Sequence, residues 1–199
     1  GAVPVGLLIV RRMTGKDVRM VGSGRSGATN VIRAAGIRAG LTTAMLDLVK
    51  GALPIWLVKL ILPEWPWAHV LAGVAAVLGH NYSIFLPEVV TDPQTGYART
   101  VLRGGAGGVT TVGGAIGLWA WTGAILIPAG ATILFGIGYA SLATMSGGIM
   151  TTIIMAMRAS QGLAPEAYVY YGLSCLALQL WALRPNIKRL LNGTERLVG

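Results

Sequence analysis

One cysteine, two histidines and seven acidic residues are nearly all that this 199-residue sequence offers of the groups that most often carry chemistry. With Cys175 alone, a disulfide within the chain is excluded, and no Cys, His, Asp or Glu cluster has the spacing of a metal site. So few acids also exclude a chain of carboxylates across a membrane, and with it a pump or channel of that kind. Charged residues of both signs make up 12% of the chain, too few to cover the surface of a soluble domain of this length. No charged segment precedes the apolar stretch from Ala2 to Val10, so it does not read as a signal peptide; it reads as a first helix lacking its front end.

What is present is apolar. Hydrophobic residues make up 54% and fall in long runs, each near the roughly 20 residues that a helix needs to cross a bilayer. The runs predict seven spans in one integral-membrane domain over 1–199, an all-α membrane protein. The first ends at Arg11 and Arg12. The others cover about 40–61, 68–86, 107–127, 129–145, 147–159 and 167–183, the sixth being short enough to be re-entrant. Trp65 and Trp67 suit an interfacial belt. The formal charge of +9 would suggest nucleic acid in a soluble chain. Here it follows topology, because Lys and Arg gather after spans one and three and in the tail, which places those loops in the cytoplasm.

Three segments on that side look chemical. Gly22-Ser23-Gly24-Arg25-Ser26-Gly27-Ala28-Thr29-Asn30, with Arg33 beyond, combines flexible glycines with hydroxyl, amide and guanidinium donors. By itself it fits a flexible connector as well as an anion cradle. It is not a nucleotide P-loop, because Ala28 stands where the Lys belongs and no βα unit surrounds it. The second segment joins Gly79-His80-Asn81-Tyr82 to Arg103-Gly104-Gly105-Ala106-Gly107-Gly108-Val109-Thr110-Thr111 at a helix start, where phosphate binds readily. A histidine at a helix end is more often a structural hydrogen-bonder than a catalyst. The third, Asn186 to Glu195, reads alone as a cationic amphipathic helix on the membrane surface, as do Lys188 and Arg196. Within span two, Asp47 and Lys50 share a helical face. Such groups at that depth either face a polar cavity or neutralise each other.

Together these segments resemble the bacterial integral-membrane acyl-phosphate:glycerol-3-phosphate acyltransferases (the PlsY type). Gly1-Ala2-Val3-Pro4-Val5-Gly6 is similar to that family's G-S-I-P-F-G, and 22–30 to its G-S-G-x-x-G-A-T-N. Asp47 to Gly51 resembles D-x-x-K-G, Gly79-His80 its G-H, Arg103 to Gly113 its K-G-G-K-G-V-A-T-x-x-G, and Asn186 to Glu195 its N-I-x-R-L-L-x-G-T-E. The resemblance implies acyl transfer from acyl phosphate to the 1-hydroxyl of glycerol 3-phosphate in the bacterial inner membrane, with membrane lipid as partner and no metal, cofactor or nucleic acid. It implies Ser23, His80 and Asn186 nearest the chemistry. It implies Arg25, Gly27, Thr29, Asn30, Arg33, Arg103, Gly104, Gly105, Thr110, Ser141, Thr144, Arg189 and Glu195 around the phosphate and acyl phosphate. With no side-chain base evident, the glycerol proton is expected to pass to the acyl phosphate.

The sequence departs from that pattern at Ala106, where the family has a phosphate-binding Lys, at Arg25 for Asn, at Leu183 for His, and at Ser83 for Pro. An unreplaced Lys–phosphate contact costs on the order of 1.5–3 kcal/mol. Arg25 is expected to restore that charge from the opposite loop. Two other readings follow from the departures: an acyltransferase with a different acceptor, and a non-catalytic lipid or anion carrier.

Overall fold

The computed structural model describes residues 1–92 and 94–198. Among them are eight α-helices: α1 (Val5–Thr14), α2 (Ala28–Ile61), α3 (Pro66–Asn81), α4 (Gly108–Leu118), α5 (Thr122–Thr132), α6 (Ala140–Ser160), α7 (Ala167–Ala182) and α8 (Arg184–Leu191). The first seven are the hydrophobic helices anticipated from the runs, but several boundaries move.

α2 starts a dozen residues before the apolar run, so Arg33 and Arg38 are helical and not in a loop. Gly36, at φ 84°, kinks the helix where its amphipathic start meets the apolar part. The long stretch expected as spans four and five breaks elsewhere. α4 stops at Leu118, the Thr122 hydroxyl donates to the Trp119 carbonyl, and α5 runs on through a π turn (Ile133–Ile137) to Gly138 at φ 90°. Continuous apolarity hides such breaks, because hydropathy is blind to backbone conformation. The sixth span, expected as short, is α6, whose 21 residues give about 31 Å at 1.5 Å per residue, enough to cross a bilayer. It is the one described helix both long and apolar enough to do so alone.

The chain is also not purely helical. Between α3 and α4, β1 (Pro87–Thr91) pairs antiparallel with β2 (Ala98–Leu102), Val89 opposite Thr100. β-branched residues favour the strands, and the turn is set by the Asp92 carboxylate accepting from the Gln94 and Thr95 amides, with Gly96 at φ 69°.

Besides an apolar core, the molecule carries large apolar side chains on its outside and polar ones within. Leu60, Ile61, Leu71, Phe135 and Ile153 face outward, while Thr43, Asp47, Thr110, Thr111, Thr151 and Gln179 are inside. α2 and α4 pack backbone to backbone: a Cβ on Gly51 would collide with the Thr110 carbonyl, and one on Gly113 with the Leu48 carbonyl. Ile55, Val77, Ala115, Met155, Tyr171 and Cys175 form the main apolar cluster between α2, α3, α4, α6 and α7. A smaller cluster of Leu7, Val10, Val18, Val31 and Leu86 lies under the first glycine-rich loop. The tight α2–α4 seam places the start of α4 beside that loop.

Candidate active site

The first loop is wound around one side chain. The buried Asn30 amide donates to the carbonyls of Val18 (3.1 Å), Val21 (2.9 Å) and Arg25 (2.8 Å), and its oxygen accepts the Ser23 amide N–H at 3.1 Å. All its polar capacity goes into loop shape, with Gly22 and Gly24 supplying the positive φ the turns require. Gly27 then ends the loop as the N-cap of α2, with no side chain on the free N–H groups.

The second loop is stitched to the end of α3: the Gly104 N–H donates to the Asn81 carbonyl and the Gly105 N–H to the His80 carbonyl, each at 2.9 Å. A Cβ on Gly105 would run into the His80 ring, so glycine is required for this approach. Gly107, at φ 82°, turns the chain into α4, again without a side-chain cap. α6 begins beyond Gly138 with the same feature.

The uncapped starts of α2, α4 and α6 border one polar cleft of about 100 Å³, through Ala28 and Thr29, Gly108 and Val109, and Ala140 and Ser141. Each presents free N–H groups and the positive end of its dipole. None has an acidic residue in its first turn. Ser23, Arg25, Arg33 and His80 complete the wall on one side, and Thr144, Asn186, Glu195 and Arg196 on the other. The Ser141 hydroxyl is buried without a partner among the described residues.

Cations outnumber anions here. Arg25 reaches across from the first loop, donating to the Gly105 carbonyl at 2.8 Å and to the Ala182 carbonyl. These carbonyls immediately precede Ala106 and Leu183, so three of the four departures from the family pattern meet at one point, while Ser83 donates to the Ala2 carbonyl instead. Burial holds the Arg25 guanidinium below its usual range, and the nearby charges of Arg103 and Arg189 add to this. Arg33 is lowered by burial and then by Arg196. Guanidinium stays charged in proteins, so the cleft holds unneutralised positive charge that an anion would relieve. Glu195 offers little relief, because Asn186 Nδ2 (2.8 Å) and Arg189 Nε (3.0 Å) already donate to its carboxylate.

Several residues marked in the sequence stand behind the wall and not in it. Arg103 pairs with Glu88 at 3.5 Å on the hairpin side, Arg189 holds Glu195, and Thr110 is buried in the α2–α4 seam. Asp47 lines the cleft; Lys50 stands beside it, 2.7 Å from the carboxylate. Sequence reasoning missed Arg196, which it placed on a surface helix. Its guanidinium donates to the Gly22 carbonyl at 2.7 Å, and Arg33 donates to the Leu197 carbonyl at 3.0 Å, so the tail straps over the cleft. Next to Glu195, only the adjacency to an expected ligand could have flagged it.

A second, apolar pocket of about 220 Å³ opens beside the cleft, lined by Ile32, Leu41, Leu48, Val112, Leu134 and Phe135, and shares Thr29, Gly108 and Thr144 with it. The cationic cleft thus continues into an apolar pocket. The glycerol-3-phosphate acyltransferase family matches residues 1–193. This chain belongs to that family. A glycerol-3-phosphate acyltransferase of Myxococcus xanthus is 38% identical, over 98% of this chain and 93% of that protein. One of Thermus thermophilus is 36% identical, over 100% of this chain and 90% of that protein. Among solved structures, the integral membrane glycerol 3-phosphate acyltransferase PlsY (YgiH) in its glycerol 3-phosphate form superposes with a TM-score of 0.76 at 27% identity, covering 100% of this chain and 94% of the other. Its lysophosphatidic acid form gives 0.74 at 27% identity, covering 100% and 93%. The family membership makes the outward-facing apolar residues a lipid-facing surface and the chain a membrane protein.

Proposed function

We propose that this protein transfers a fatty acyl group from acyl phosphate to the 1-hydroxyl of glycerol 3-phosphate, giving lysophosphatidic acid and phosphate. The observation that carries this reading is the convergence of three uncapped helix starts on a cationic cleft that opens into an apolar pocket. The cleft suits two phosphates and the pocket an acyl chain, so the acyl phosphate carbonyl lies at their junction near Thr29 and Thr144. Relatives and structures that bear the same activity in their names support the same assignment.

In the reaction the 1-hydroxyl oxygen bonds to the acyl carbonyl carbon, the carbon–oxygen bond to phosphate breaks, and phosphate leaves with the electron pair. The hydroxyl proton goes to the departing phosphate. Arg33, Arg196 and Arg25 neutralise phosphate, with Ser23 and Asn186 orienting it, while helix-start N–H groups at Gly108 and Val109 stabilise the developing oxyanion. Holding both substrates in one cleft supplies the orientation. Asn30, Gly104 and Gly105 shape the loops that do this, and Arg189 and Glu195 fix Asn186.

We place the cleft at the cytoplasmic face of a bacterial inner membrane, with seven spans and α8 at the interface. Arg11, Arg12, Lys16 and Arg19 gather at the cleft end, while the opposite turns carry Glu64 and Glu166 and neither Lys nor Arg. Purified protein in lipid, given palmitoyl phosphate and labelled glycerol 3-phosphate, is expected to release lysophosphatidic acid and phosphate in equal amounts, and Arg33→Ala to lower kcat/KM by at least about tenfold. Tight substrate binding without product would sink the transferase reading in favour of a carrier, and turnover of another acceptor alone would change the substrate.

A further inference from the structure

Tyr171 and Gln179 are fully buried on one face of α7, two turns apart, and both reach the same residue of α4. The Tyr171 hydroxyl donates to the Thr111 carbonyl and Gln179 Nε2 to the Thr111 hydroxyl, each at 2.9 Å. Thr111 closes the first turn of α4: its N–H donates to the Gly107 carbonyl at 2.8 Å. Gly108 and Val109, just before it, border the cleft. The fit around these side chains is close, since a Cβ on Gly114 would meet the Tyr171 hydroxyl and one on Gly148 of α6 would meet Gln179 Oε1. That Oε1 is buried without a partner among the described residues, and an unpaired buried amide oxygen destabilises the fold. A methionine would fill the same space without that penalty, so stability does not account for a glutamine here. The end of α7 is tied to the cationic side of the cleft, because the Ala182 carbonyl receives Arg25. One helix thus joins Arg25 to the start of α4.

We infer that Gln179 and Tyr171 are positioning residues that fix the first turn of α4, and with it the N–H groups at Gly108 and Val109, relative to the phosphate held by Arg25. Neither side chain lines the cleft, so both act through Thr111. The inference rests on the acyl-transfer reading only for what those N–H groups do, which is to stabilise the developing oxyanion. Such donors work by being aimed before the charge appears, and a loosened first turn loses that aim. The phosphate of glycerol 3-phosphate is gripped by Arg25, Arg33 and Arg196 instead. Releasing Thr111 therefore lowers kcat and leaves KM for glycerol 3-phosphate nearly unchanged. Tyr171 and Gln179 lie outside all the family-like segments of the sequence, and only the packing of α7 on α4 reveals them.

Gln179→Met and Thr111→Val each remove the side-chain hydrogen bond at nearly constant volume. Each is expected to lower kcat for acyl transfer by about tenfold, with KM for glycerol 3-phosphate within about threefold of wild type. The double variant is expected to lose no more than either single one, because both changes break the same bond. Thr111→Ser, which keeps the hydroxyl, is expected to stay near wild type. The melting temperature of Gln179→Met is expected to hold or rise, where a glutamine serving stability alone would lower it along with activity. Hydrogen–deuterium exchange of the whole protein in micelles gives a reading independent of turnover. In Gln179→Met the N–H groups of Thr111 and Val112 are expected to exchange about tenfold faster, with the far end of α4 unchanged. Additive losses in the double variant, an unchanged kcat, a kcat loss matched by a lower melting temperature, or unaltered exchange at the start of α4 would each overturn the inference. Absence of acyl transfer in the wild type would remove the parent reading, and the exchange measurement would still decide whether α7 holds the start of α4.

Discussion

Asn30 and Arg25 show how much of this site depends on side chains that bond to backbone. Every polar atom of Asn30 is spent on the loop between Val18 and Arg25. Asn30→Leu leaves three carbonyls and one N–H to find water, a loss of about 2 kcal/mol or more in stability, read as a lower unfolding midpoint together with a raised KM for glycerol 3-phosphate. Arg25 is the departure that touches the loops carrying two others, Ala106 and Leu183. Arg25→Ala is expected to raise KM for glycerol 3-phosphate by about tenfold to a hundredfold, the worth of a charged contact. The double change Arg25→Asn with Ala106→Lys is expected to recover most of that loss, because a Lys at 106 enters the same cleft. Additive damage in the double variant would show that the two positions do not share a phosphate. These roles were only partly legible. The loop's residue types marked an anion site, but whether an amide faces ligand or backbone is set by where the chain turns.

At the level of elements, the helix starts border the cleft and the helix contacts hold them in place. α4 is pinned at both ends: its start is fixed by Gly107, and Lys59 of α2 donates to the Leu118 carbonyl at its far end at 2.7 Å, a favourable place for a cation. Gly51→Leu forces α2 away from the Thr110 carbonyl and so moves the first turn of α4. It is expected to abolish acyl transfer and lower the melting temperature, whereas Leu71→Ala, on the exposed face of α3, is expected to leave both nearly unchanged. Gly138 is a second such joint, since its φ of 90° and its contact with Leu197 leave no room for a side chain. Hydropathy located the seven apolar helices. It misplaced the breaks at Trp119–Trp121 and Gly138, and it did not anticipate the hairpin between α3 and α4, because alternation over five residues is a weak signal beside long apolar runs.

Across the whole molecule, polar side chains are buried beside apolar ones, and arginine gathers around the cleft. The cleft lies at the basic end, with Arg25, Arg33 and Arg196 facing it, while its two carboxylates among the described residues, Asp47 and Glu195, are held by Lys50 and by Asn186 and Arg189. Inorganic phosphate should therefore stabilise the folded protein logarithmically with its concentration, by about 2.7 kcal/mol at a hundred times its Kd. A thermal shift in micelles at rising phosphate reads this directly. Sulfate, similar in shape and charge, is expected to compete, and Arg33→Ala to flatten the response. A phosphate-independent melting temperature would contradict an anion site built from helix starts.

The sequence by itself determined that this is a mostly helical membrane protein with glycine-rich polar loops, because hydropathy is a local property that needs no partner to be read. Its motif order also determined the family. Only the tertiary structure decided which of the marked residues meet. Ser23 and Thr29, Val109, Ser141 and Asn186 come from four separate segments and share one cleft only because α2, α4, α6 and α8 begin at the same end. Arg103 and Arg189, equally marked, were turned to Glu88 and Glu195 instead. The fold likewise brought Lys50 against His80, thirty positions away. Donor and acceptor roles there depend on distances of a few tenths of an ångström, which no one-dimensional pattern encodes.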